Sequence, residues 1–145
     1  MHRYTTLPIA AALVATAALA HQGVQNPAVK ARMNLMVEVK EATATIGGMV
    51  KGAIPFDADR AAQARADLID HARQIPAAFQ ARETDPASEA RPEIWTDWDG
   101  FTQAAEEMEQ AAAAIDTSDH ATLQDGLRKL GASCSGCHKP YRISK

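Results

Sequence analysis

Four stretches of the chain place apolar side chains at alternating spacings of three and four, the signature of helices with one buried face. The clearest begins at Ile94 and continues through Trp98, Phe101, Ala105, Met108, Ala112 and Ile115 without a slip. After Asp116-Thr117-Ser118-Asp119, where Ser118 or Asp119 can cap a new helix, the pattern resumes. It then runs through His120, Leu123, Leu127, Leu130, Cys134, Cys137 and Tyr141. Upstream, Ala61, Arg65, Leu68, Ala72, Ile75 and Phe79 mark another helix, with Asp57 or Asp59 as its cap. Pro76 is expected to kink that helix or stop it early. The first helix starts at Pro27 and ends at Gly47-Gly48 or at Gly52. Residues 82–92 carry two prolines and five charges without periodicity, so they read as a loop.

Such stripes belong to helices packed side by side, each turning one seam inward. Short connections join the first helix to the second and the third to the fourth, which makes those pairs antiparallel neighbours. The expected fold is all-α, an antiparallel up-down-up-down four-helix bundle. Composition agrees. Apolar residues make up 46% of the chain, 31 of them alanine, against 8 Gly and 7 Pro, a mixture that favours helices over a small β sandwich.

The first twenty residues belong to a different problem. His2 and Arg3 are followed by an uncharged run from Pro8 that ends in Ala18-Leu19-Ala20, the small-x-small pattern of a signal-peptidase site. That run is too short to span a bilayer. Residues 1–20 therefore read as a signal peptide cleaved after Ala20, and residues 21–145 as a single exported domain, expected in the periplasm. The remaining 125 residues hold 14 basic and 18 acidic groups, a balance that argues against nucleic acid as a partner. No later stretch is long and apolar enough for a membrane span. Nor does the sequence offer a phosphate-binding glycine loop or a Ser-His-Asp arrangement, so no enzyme activity is expected.

Chemistry concentrates at Cys134-Ser135-Gly136-Cys137-His138. Cys-x-x-Cys-His is the attachment signature of c-type haem. On a helix the two thiols lie on one face, about 4.5 Å apart along the axis by the 1.5 Å rise, and each can add to one porphyrin vinyl group. The next residue offers an imidazole to the iron. Three other readings compete less well. A redox dithiol of the thioredoxin kind needs a βαβ setting. A zinc site lacks further ligands nearby in sequence. A simple disulfide leaves His138 unexplained.

With this motif on the last of four helices, the chain resembles the cytochrome c′ family, the class II cytochromes c. The resemblance covers essentially all of residues 25–145. It is carried by Lys51-Gly52-Ala53-Ile54-Pro55-Phe56-Asp57, by Pro92-Glu93-Ile94-Trp95 with Phe101, and by the stretch from Gly131 to Arg142. It implies one covalent haem c per chain, bound through Cys134 and Cys137 with His138 as an axial ligand. Family members with methionine facing the other side of the iron are six-coordinate, low-spin electron carriers. Those with a bulky non-ligand there are five-coordinate, high-spin, and bind nitric oxide or carbon monoxide.

Counting forward from Arg32 or back from Lys51, the family position falls on Met36. Helix geometry points the same way. Ala28, Arg32, Leu35, Val39, Ala42, Ile46 and Met49 cluster on one arc, Met36 sits at its edge, and Met33 points mostly outward. The expected function is a one-electron carrier with His138 and Met36 as axial ligands. The alternative is a five-coordinate gas-binding member. A third, from another class, is a helical protein without haem whose cysteine pair is redox-active or structural. The resemblance also places Arg32 at a haem propionate. Arg142, one turn after His138, is a candidate for a contact beside that ligand or with the propionates. Trp95, Phe101 and Tyr141 are expected in the core or against the porphyrin. The implied partners are redox proteins; the small basic cluster of Lys139, Arg142 and Lys145 reads first as a solvated terminus and second as a docking point for an acidic partner. Members of the family often form homodimers through their first and second helices.

Overall fold

The computed structural model describes residues 23–143. The signal peptide expected at residues 1–20, its expected cleavage site after Ala20, and Lys145 lie outside them. Among the described residues five helices follow in order: α1 (Pro27–Val50), α2 (Ala58–Phe79), the single turn α3 (Glu93–Thr96), α4 (Trp98–Ala113) and α5 (His120–Tyr141). Each long helix has an identifiable start. Asn26 accepts hydrogen bonds from the backbone N–H groups of Ala28 (2.9 Å) and Val29 (3.1 Å), with Pro27 at the first helical position. Of the two candidates for α2, Asp57 is the cap, accepting from Arg60 N–H at 3.0 Å. Asp119, not Ser118, caps α5 through Ala121 and Thr122.

The first helix runs through Gly47-Gly48 to Val50 and closes with the backbone N–H of Ala53 on the carbonyl of Gly48 (2.8 Å). Gly52 takes φ +69° there, a left-handed position that suits glycine. Pro76 does not end α2, which continues to Phe79.

Helices α1, α2, α4 and α5 form a ring in which each packs on two neighbours. All adjacent pairs are antiparallel. Arg32, near the start of α1, meets the end of α2, and His120, at the start of α5, meets the carbonyl of Val50 at the end of α1 (3.0 Å). Between α2 and α4, Arg73 pairs with Glu109 at 2.7 Å while Phe79 packs on Phe101. The seams expected from spacing are the ones that bury: Leu35, Val39, Ile46 and Met49 from α1, Leu68 and Ile75 from α2, Phe101 and Met108 from α4, and Leu123 and Leu130 from α5. At the start of α1 the buried residue is Val29 rather than Ala28.

One expectation fails in an instructive way. The apolar series from Ile94 to Ile115 is unbroken, but the helix is not. At Asp97 the backbone leaves the helical region (φ −126°, ψ 56°), and its carboxylate caps α4 through Gly100 N–H at 3.3 Å. The other carboxylate oxygen accepts the hydroxyl of Tyr141 at 2.6 Å. The first bond gives Gly100 N–H the partner that a continuous helix would supply, the second holds the carboxylate in place, and Ile94 still reaches the core.

The segment between α2 and α3 lacks periodicity, as expected, yet it is fastened at both ends. Asp85 accepts from the backbone N–H groups of Gln25, Asn26 and Ala87 at 2.9–3.0 Å. Farther on, Arg91 N–H donates to Tyr141 O (3.0 Å) and Ile143 N–H to Glu89 O (2.8 Å). The loop thus ties the start of α1 to the end of α5.

Candidate functional site

Cys134, Cys137 and His138 lie in the last two turns of α5, just before Pro140 and Tyr141. Both thiols are free and half-buried. Their three-residue spacing turns both sulfurs toward the bundle, where they pack against the core. On α1, Met36 is also half-buried and packs on the same core. Met33 is half-buried too but makes no such contact with the core. Met36, Cys134 and Cys137 thus all pack against one core, which all four long helices line.

The electrostatics suit neutral ligands. Desolvation is the main cause that raises the pKa of Cys134, and together with Cys134 it pushes Cys137 up to about 11. A catalytic dithiol needs the opposite shift. His138 is exposed overall, but the protein crowds its ring enough that desolvation lowers its pKa, Arg142 adding to the effect and Glu89 opposing it. A neutral imidazole is the form that binds a metal. Among the described residues no group of three or more His, Cys, Asp or Glu side chains could hold a bare metal ion. Two half-buried thiols with an imidazole directly after the second fit the covalent attachment of an iron porphyrin.

The two arginines are placed less simply. Arg32 is 3% exposed, and its guanidinium is already engaged. Nε donates to the carbonyl of Ala78 (2.9 Å), one Nη to Glu83 O (2.9 Å) and the other to Ala81 O. The same group lies 5.1 Å from the ring centre of Phe79 and 5.3 Å from that of Trp95. Desolvation lowers its pKa, while the Glu83 charge raises it. Three of its five donors thus close the end of α2. Arg142 extends beyond α5, and its backbone N–H donates to His138 O at 3.0 Å. Its guanidinium grips Glu89 through Nε (2.8 Å) and Nη2 (2.6 Å).

The aromatic residues sort themselves accordingly. Phe101 is a core residue, with Phe79, Trp98 and Tyr141 around it at centroid separations of 5.1–5.7 Å. Trp95 donates its indole N–H to Phe79 O at 2.7 Å. Glu89, Asp85 and Asp97 were not singled out from the sequence. For Asp85 a signal existed, since Asp-Pro-Ala-Ser is turn chemistry. For Glu89 there was none, because its partner is 53 residues away. Two surface grooves, of about 340 and 510 Å³, lie elsewhere, between α1 and α2 and on the outer side of α4, and neither touches the cysteines or His138.

An antiparallel four-helix bundle whose last helix carries Cys-x-x-Cys-His defines a class, the helical-bundle c-type cytochromes. Comparison with known proteins narrows it. The family model described as cytochrome C′ matches residues 27–142. Cytochrome c-554 of Cereibacter sphaeroides is 35% identical, covering 98% of both chains. Cytochrome c-556 of Agrobacterium tumefaciens is 31% identical over 79% of this chain and 94% of that one. The solved cytochrome c′ of Rhodopseudomonas palustris superposes with a TM-score of 0.76 at 28% identity, covering 83% of this chain and 99% of the other. The chain belongs to the cytochrome c′ family. It is a haem protein of electron-carrier type, and its cofactor is covalently attached haem c. Among the described residues no helix is long and apolar enough to cross a membrane.

Proposed function

We infer that the protein is a periplasmic one-electron carrier whose haem is joined to Cys134 and Cys137 and held between His138 and Met36. The observation that supports this most is that Met36 on α1 and Cys134 and Cys137 on α5 are all half-buried against the same core. Bound there, haem supplies a reversible one-electron iron couple. With haem bound, the Met36 thioether and the His138 imidazole would both hold the iron, which would raise its reduction potential and leave no coordination position for an outside gas. Arg142, tied to the His138 carbonyl and to Glu89, stands beside the proximal ligand. Arg32 retains two N–H groups for a propionate beyond its three carbonyl partners. Export rests on the leader pattern of residues 1–20, and α1 with α2 offers the face through which a homodimer would form.

Absorption and EPR spectra of the mature holoprotein test the ligand set. The expected result is a low-spin iron unchanged by carbon monoxide, converted to a high-spin, carbon monoxide-binding form by Met36→Ala. A wild-type protein that is high-spin and binds carbon monoxide would replace this reading with that of a gas-binding member.

A further inference from the structure

Charge is divided along this chain in a way that its net value of −3 conceals. From Pro92 to Leu127 there are nine carboxylates and no lysine or arginine; from Arg128 to Lys145 there are five basic side chains and no carboxylate. The second block contains the turns that bear Cys134 and Cys137. At 100° per residue, Arg128, Ala132, Ser135 and Lys139 fall within about 60° of one another on the side of α5 opposite its buried seam. All four are exposed. Beside them, a β-carbon added at Gly131 or Gly136 would meet nothing within 4 Å. The outer surface at the cysteine turns is bare helix, with cations at both ends.

Pairing within the patch does not cancel its charge. Arg128 and Lys129 share the single carboxylate of Asp125, at 2.6 and 2.8 Å, so that trio keeps one positive charge. Lys139 has no ion-pair partner among the described residues, and Arg142 is balanced by Glu89. The patch is thus positive on a molecule that is negative overall.

We propose that this outer side of α5 is the docking face for the acidic surface of a redox partner protein, and that the electron crosses at the turn holding the two cysteines. The proposal rests on the haem being carried by Cys134 and Cys137. Ser135 and Gly136 lie between them and put no bulky side chain in the way. Charge complementarity selects the partner: an acidic surface is attracted to this face and repelled by the carboxylates of α4.

The sign of a salt effect tests this. In the reaction of the reduced holoprotein with hexacyanoferrate(III), the protein loses one electron, the oxidant becomes hexacyanoferrate(II), and no atom or proton moves. If net charge governed, the anion would be repelled and the rate would rise with salt. The docking face instead requires a rate that falls several-fold between about 0.01 M and about 0.15 M salt, as the screening length shortens from about 30 Å to about 8 Å. The double variant Arg128→Glu/Lys139→Glu should lose on the order of tenfold at low salt and converge with the wild type at high salt. A readout without electron transfer accompanies it. Hexacyanochromate(III), redox-inert and paramagnetic, should broaden the amide signals of Ser135, Gly136 and Lys139 in the ¹⁵N-labelled reduced protein. A wild-type rate that rises with salt, or broadening confined to other helices, would overturn the docking face. Mass spectrometry of the same sample separates the two failures, since a chain without covalent haem removes the underlying reading as well.

Discussion

The guanidinium of Arg32 lies 5.3 Å from the ring centre of Trp95, whose indole N–H donates to the carbonyl of Phe79, while Arg32 itself donates to the carbonyls of Ala78, Ala81 and Glu83. Two side chains, one from α1 and one from α3, thereby satisfy the carbonyls of Ala78 and Phe79 at the end of α2 and those of Ala81 and Glu83 in the loop beyond it. Met36 stands one turn beyond Arg32 on α1, so the clamp also sets how α1 is rotated against the core.

Arg32→Met should be destabilising by roughly 3 kcal/mol, because it strands carbonyls in a buried place and removes a charge-assisted set of bonds. Arg32→Lys should recover little of this, since an ammonium cannot span three acceptors in the plane between two rings. Thermal unfolding of both variants checks the ordering. If the lysine variant matches the wild type, the planar fork is not what holds α2.

A second contact joins the end of α5 to the break before α4. Tyr141 donates to Asp97, and this bond is the first cause holding the phenol up at about 12, followed by burial and by the Asp97 charge. A phenol raised above its unfolded value near 10 lends stability that is fully present below about pH 10 and is lost as pH rises toward about 12. In a protein produced as residues 21–145, Tyr141 is the only tyrosine, Tyr4 being the chain's other. ¹³C NMR of the ring-labelled reduced protein therefore reads this group alone. Tyr141→Phe should cost about 1.5 kcal/mol and remove the alkaline loss.

Gly100 belongs to the same contact. A β-carbon there would lie 2.5 Å from the Asp97 carboxylate and 2.6 Å from the Tyr141 hydroxyl. Gly100→Ala should therefore break the bond that Tyr141→Phe removes, and the double variant should be less destabilised than the two singles added together. Additive denaturation midpoints would show that the two changes act separately.

Asp85 controls the acid side. Three backbone N–H groups, Ala87 first and then Asn26 and Gln25, hold its carboxyl below the ordinary aspartate range. The sign is opposite to that of Tyr141: the stabilisation is present above the unfolded value of about 3.9 and disappears as pH falls through the lower native one. Asp85→Asn should lower the urea midpoint at about pH 6 and bring it close to the wild type at about pH 3. A constant difference at both values would mean that ionisation is not what Asp85 contributes.

At Gly126 two effects oppose. Alanine in a helix gains about 1 kcal/mol over glycine. The new methyl, however, would sit 3.1 Å from Cα, Cγ1 and Cγ2 of Ile115, and Cα is backbone that cannot rotate away. Overpacking costs about 1–3 kcal/mol, so Gly126→Ala should be destabilising on balance. A raised melting temperature would show that α5 shifts to accommodate it.

Periodicity located the helices well because a helix that buries one face must repeat near 3.6 residues, and the seams from Leu35 to Met49 and from Leu123 to Tyr141 do so. It missed the break at Asp97 for the same reason. A one-residue cap leaves the spacing of Trp98 and Phe101 intact, and nothing local announces that a tyrosine 44 residues later will occupy the carboxylate. Arg32 illustrates the other gap. Its place on the buried arc of α1 was legible, but its acceptors come from the end of α2 and the loop beyond.

The amino-acid sequence by itself determined the helical class, the four seams and the Cys-x-x-Cys-His chemistry, since each depends on residues a few positions apart. Only the tertiary structure decided that Met36 shares a core with Cys134 and Cys137, that Arg32 closes α2, and that Glu89 holds Arg142 beside His138. Those relations join helices and loops far apart in the chain, and they exist only once apolar burial has brought the four long helices into one ring.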